Sequence, residues 1–129
     1  MNPRRGTDWH RLLASDRVGP TKQTLKYVGA WVDGKGRVTV TRGAETLPLA
    51  PWHDVALICD TCFCWGYEGP APAQLALALL ADYFSELGNG DKLALRHHEA
   101  FHREAIARLP EAWVITGDQI EDFIALHEL

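Results

Sequence analysis

The 129-residue sequence predicts an α+β domain: an N-terminal β-hairpin and small antiparallel sheet packed on an antiparallel helix pair, then a short strand and a C-terminal helix. Three observations predict it. "KYVGAWV" and "RVTVT" alternate in polarity on either side of the glycine-bearing "DGKG". "LALALLA", residues 75–81, is apolar on every side of a helix, the pattern of a buried central element. "TGDQI" spells a helix start directly after the β-branched "WVIT".

Taken in order, residues 1–24 are weakly periodic and predict an arm, with a short helix in "DWHRLLASD" broken by Gly19-Pro20. A single domain is expected over 25–129. In the hairpin, Val28, Ala30 and Val32 share one face, as do Val38 and Val40, while Arg37, Thr39 and Thr41 point the other way. Pro48 and Pro51 restrict "LPLAPWHDVALI" to an edge strand or extended chain, so a third strand is expected within 45–58. Pro72 suits the first turn of the central helix, Gly88 its left-handed C′ position, and Asp91 the cap of a second helix that Pro110 ends. The short connection makes the two helices antiparallel. Thr116 and Gln119 form a capping box with Ile115 and Ile120 as its staple, and the last helix buries Ile120, Phe123 and Ile124.

Apolar residues at 47% and charged residues at 23% are ordinary for a globular chain. The apolar run at 75–81 is too short to cross a bilayer, and no secretory pattern opens the sequence. With three cysteines, an odd number, a cytoplasmic protein with reduced thiols is expected. Net charge −4 is unevenly spread. Residues 1–43 carry nine Lys/Arg against three Asp, whereas 44–129 carry four against fourteen Asp/Glu. The basic part offers Arg4, Arg5, Lys26, Lys35, Arg37 and Arg42 as nucleic-acid contacts, although no basic run tracks a phosphate backbone by itself.

Two motifs suggest metal. His98-Glu99-Ala100-Phe101-His102 spells H-E-x-x-H, which places two imidazoles on one helix face with a carboxylate as base, the arrangement of a small zinc-dependent hydrolase. Glu121 or His127 would have to supply a third ligand. On a helical wheel, however, His98 falls among Ala94, Phe101, Ala105 and Leu109, with His102 at the margin, so packing on the central helix is the favoured reading. Cys59, Cys62 and Cys64 form C-x-x-C-x-C, with His53 as the one obvious fourth zinc ligand; small thiols packed along extended chain are favoured here. "WGYEGPAP" leads into a helix N-terminus, but Pro70 and Pro72 remove two donors and Glu68 repels anions. The segment is therefore expected to be a joint, with Trp65 and Tyr67 setting the helix angle and Gln74 bonding backbone in that loop.

"FCWGYEGPAPAQLALALLADYF" resembles the central signature of a family of short uncharacterised proteins from bacteria, archaea, phages and plasmids. Phe63, Trp65, Gly66, Tyr67, Gly69, Pro72, Ala73, Gln74 and Leu75 match it, whereas Pro70 and Ala71 stand where the family has Ser-Gly. The likeness extends weakly over residues 26–120. It implies a mobile-element setting, and it implies that the cysteines and the His98/His102 pair are particular to this chain. It transfers no activity.

The expected function is that of a non-enzymatic accessory protein, without cofactor, that binds a protein partner, an antagonist of host defence being one such role. Trp9, Trp31 and Trp52 are the candidate anchors, since five tryptophans exceed what one core of this size needs. Nucleic-acid binding and zinc-dependent hydrolysis are the alternatives.

Overall fold

Strands β1 (Lys26–Val32) and β2 (Lys35–Arg42) form the hairpin, joined through Asp33 and Gly34. Both turn residues have positive φ, 55° and 78°, as a two-residue turn matched to strand twist requires. The computed structural model describes residues 25–61 and 63–128; the 1–24 arm, with Arg4, Arg5 and Trp9, and Cys62 lie outside these. β3 (Glu45–Pro48) pairs with β2, and β4 (Trp113–Thr116) pairs with β1, giving an antiparallel sheet of order β3-β2-β1-β4.

The face of β1 that meets the core differs from the expected one. Tyr27 and Gly29 are buried, while Val28 and Ala30 are half-buried and Val32 is exposed. The register explains it: Tyr27 lies opposite Val40 and Ile115, and Gly29 opposite Val38 and Trp113. Period-two alternation then puts Val28, Ala30 and Val32 on the side of Thr39, Arg37 and Lys35. Burying Tyr27 with the Trp65 and Trp113 rings removes more apolar area from water than burying three small aliphatics.

Helix α1 (Pro70–Tyr83) is the hub, with Leu75 to Leu80 fully buried. It ends at Phe84, whose N–H bonds Leu80 O, so the chain has left the helix before Gly88, which is not in the left-handed region. Helix α2 (Gly90–Glu104) packs along α1. It starts one residue before Asp91, which therefore sits in the first turn, where its charge favours the dipole, and caps nothing. A 3-10 turn (Ile106–Arg108) continues it towards Pro110. The box at the start of α3 (Gly117–His127) forms as expected: Gln119 N–H donates to Thr116 Oγ1 at 3.2 Å, and Thr116 N–H to Gln119 Oε1 at 2.9 Å. Ile115 and Ile120 are both buried beside it. No helix among the described residues is long and apolar enough to cross a membrane.

Candidate functional site

The segment from Phe63 to Gln74 is where sheet, helices and loops meet. Trp65 is buried over Gly36, where an added Cβ would strike its ring and the Phe63 carbonyl. Trp113 lies edge-on to Trp65 at 5.5 Å and covers Gly29; Trp31 stacks on the outer side of Trp65 at 4.9 Å. Two glycines thus supply the floor on which three indoles pack. Gly66 needs its positive φ of 89° to turn the chain, and its N–H bonds Ile106 O. Tyr67, expected to wedge the helix, is instead about half exposed, and its hydroxyl bonds Cys64, the first cause of its raised pKa.

Gln74 makes four bonds from a buried position. Its Oε1 accepts from the N–H groups of Ile58 and Cys59, and its Nε2 donates to the carbonyls of Pro51 and Ala56. It bonds backbone, as expected, but in the 51–59 loop and not in its own. The loop before α1 is served by His102, whose Nε2 accepts the Gly69 N–H at 3.2 Å. With Pro70 and Pro72 lacking donors, that bond occupies the helix N-terminus.

This use of His102 bears on the H-E-x-x-H letters. Its Nε2 lone pair, the one a zinc ion would take, is engaged by Gly69, and its Nδ1 faces Glu99 Oε1 at 3.8 Å. His98, expected in the apolar stripe, lies outside it and is half-buried, with Nδ1 donating to Leu95 O of its own helix. The inward imidazole is that of His97, 5% exposed, because the stripe runs Gly90, Ala94, His97, Phe101. One residue of phase, about 100°, separates the two readings. Neither third-ligand candidate turns to the pair. His127 stacks on Phe123 and bonds Glu104, while Glu121 interacts with Tyr83; burial first, and then that carboxylate, raises the pKa of Tyr83. Among the described residues, no group of three His, Cys, Asp or Glu could hold a metal ion.

Cys59 and Cys64 are half-buried free thiols. Cys59 Sγ lies 3.0 Å from Thr61 Oγ1, and His53 Nε2 donates to the Cys59 carbonyl at 3.0 Å, so this imidazole fixes backbone beside the thiols. Of the tryptophan candidates, Trp31 is 39% exposed, while Trp52, with φ 58°, packs half-buried against the core.

The basic candidates divide. Arg42 is bound to Asp82 Oδ2 at 2.6 Å, and Tyr27 donates to the same oxygen at 2.7 Å; burial foremost, then Asp82, raises the tyrosine pKa. This network was not foreseen, although Asp82 is the first charge after the long apolar run and so the available signal. A cavity of about 200 Å³ beside it also meets Glu45. Lys26, Lys35 and Arg37 stand on the opposite face of the sheet, exposed, with no ion pair among the described residues. A second cleft, of about 370 Å³, is lined by Lys35, Arg37 and Phe63.

The described helices lie on the Tyr27 side of the sheet. The other side presents Val28, Ala30, Val32 and Val114, the last two 44% and 54% exposed, beside Lys26 and the threonines of β2. The edge strand adds backbone to it. Gly117 N–H donates to Leu25 O, so alternation makes Gly29/Trp113 and Tyr27/Ile115 the bonded pairs and points the Val114 amide and carbonyl away from β1.

The model of a family of unknown function, DUF6166, matches residues 27–126, a span that includes the hairpin, the signature segment and all three helices. No curated protein and no solved structure matches the chain.

Proposed function

This chain belongs to the DUF6166 family, and we propose that it works without catalysis, by binding another protein through the open face of its sheet. The observation that carries this reading is the apolar strip Val28, Ala30, Val32 and Val114, with no described helix on that side. β-branched side chains held on paired strands lose little freedom on docking, so their burial is available to drive association. The backbone groups of Val114, which no described strand takes up, offer a short edge to which a partner strand can add. Lys26, Lys35 and Arg37 favour a partner surface that is acidic. A phage- or plasmid-borne accessory role, including antagonism of a host defence protein, is consistent with such a binder.

A second reading, nucleic-acid binding by the hairpin, has one observation in its favour: those same three cations have no ion pair among the described residues. Arg42 is removed from it by Asp82. Retention on DNA that falls steeply as salt rises would favour this reading, and no retention at low salt would end it.

The test of the first reading replaces Val32 and Val114 together by Asp. Both side chains are exposed, so the fold is expected to persist with an unchanged unfolding midpoint. Wild-type protein should retain one discrete protein from cells that carry it, and the double variant should not. Retention by both, or by neither, contradicts the reading.

A further inference from the structure

The cleft beside β2 has the chemistry of a small-ligand site. Lys35 and Arg37 line it together with Phe63, Pro48, Leu49 and Pro51. Residues two apart on a strand share a face, and their Cα atoms stand roughly 6–7 Å from each other. Both cations line the cleft, one as a point charge and one as a planar fork with donors suited to phosphate oxygens. No acidic residue lines the cleft, and neither cation has an ion-pair partner among the described residues. The other cavity differs on this point, because Asp82 already neutralises Arg42 there and Glu45 adds a negative charge. An anion is favoured in the first and disfavoured in the second.

The walls are held before any ligand arrives. Phe63 bridges Gly36 at the β2 edge, Leu49 N–H bonds Val38 O at 2.9 Å, and Gln74 fixes Pro51 through its carbonyl at 2.8 Å. At about 370 Å³ the cleft lies within the range of small-molecule sites, roughly 300–1,000 Å³, and is too small for a duplex. The lining is cationic at Lys35 and Arg37 and aromatic or apolar at Phe63, Pro48, Leu49 and Pro51, so the ligand must carry both characters.

We propose that this cleft binds a nucleoside phosphate, with the phosphoryl group on Lys35 and Arg37 and the base against Phe63. The site shares Lys35 and Arg37 with the protein-binding face, but it lies at the β2–β3 side of the sheet, across from Val114 on β4, and ligand binding there is read without a protein partner. The phosphoryl group has two possible sources, a free mononucleotide or the end of a single-stranded nucleic acid. The free mononucleotide is the source proposed here.

Backbone-amide chemical shifts of the whole chain, titrated separately with adenosine monophosphate, inorganic phosphate, adenosine and a single-stranded oligonucleotide, test the proposal. Adenosine monophosphate should bind more tightly than phosphate or adenosine, with shifts centred on residues 35–38 and 63. Lys35→Ala with Arg37→Ala should weaken it by about tenfold or more without moving the unfolding midpoint. Phe63→Leu, which keeps an apolar wall, should weaken adenosine monophosphate but not phosphate. Equal affinity for phosphate, binding of the oligonucleotide alone, or shifts elsewhere would each overturn the assignment.

Discussion

Gln74 shows what a single side chain contributes to this molecule. Four backbone groups of the 51–59 loop depend on it, at 2.7–3.1 Å, in a position that is 2% exposed. Gln74→Ala leaves buried donors and acceptors without partners, and a loss of about 2–4 kcal/mol in denaturant unfolding is expected. The sequence made the kind of bond legible, since an amide in an apolar helix must be satisfied by backbone. It left the loop unidentified, because four carbonyl and amide positions converge on Gln74 only once the chain is folded. The histidines teach a similar lesson. A wheel drawn over residues 94–109 assumes one unbroken helix, but α2 passes into a 3-10 turn after Glu104, and the true stripe includes His97. His98→Ala is accordingly expected to change stability by less than about 0.5 kcal/mol. His102→Ala, which strips Gly69 of its acceptor, should cost about 1–3 kcal/mol in the same measurement.

Among the elements, the hairpin and the last helix show how local signals and distant packing divide the work. The turn at Asp33-Gly34 and the box at Thr116-Gln119 were readable because their chemistry lies within four residues. Which face of β1 is buried was not, since it depends on Trp65 and Trp113 arriving from 29 and 84 residues away to cover Gly36 and Gly29. Gly29→Ala puts a methyl group into the Trp113 ring, and a destabilisation of about 1–3 kcal/mol, read from the urea midpoint, is expected. α3 is tied to α2 by Glu128, which accepts from His97 Nε2 at 2.6 Å and Arg96 Nη1 at 3.0 Å. The His97 bond first, then Arg96, lowers the Glu128 pKa below its ordinary value. A depressed carboxylate pKa contributes stability that is complete above the unfolded value and is lost as pH falls through the folded one. Amide-exchange protection of α3 should therefore fall on acidification through the carboxylate range. Glu128→Gln should show the lower protection already at neutral pH and a flatter acid limb.

At the scale of the whole molecule, the sheet has one face given to the core and one to solvent. The core face is specified by large aromatic side chains and by α1, which is buried all round. The solvent face keeps valines where solubility alone would select charge, and among the described residues it leaves Lys26, Lys35 and Arg37 without an ion pair while Arg42 is held by Asp82. Composition predicted a basic N-terminal part without showing that its cations segregate by strand parity, three outward and one inward. The metal motifs were legible as letters only, because ligand geometry depends on where each lone pair is already spent. Site-specific photo-crosslinking in cells that carry the protein tests the binding account most directly. A crosslinking residue at Val114 should yield a single discrete protein adduct, lost when Lys26 and Arg37 are reversed to Glu, and one at Leu126, exposed on α3, should yield none. No adduct at Val114, or the same adduct from both positions, would contradict the account.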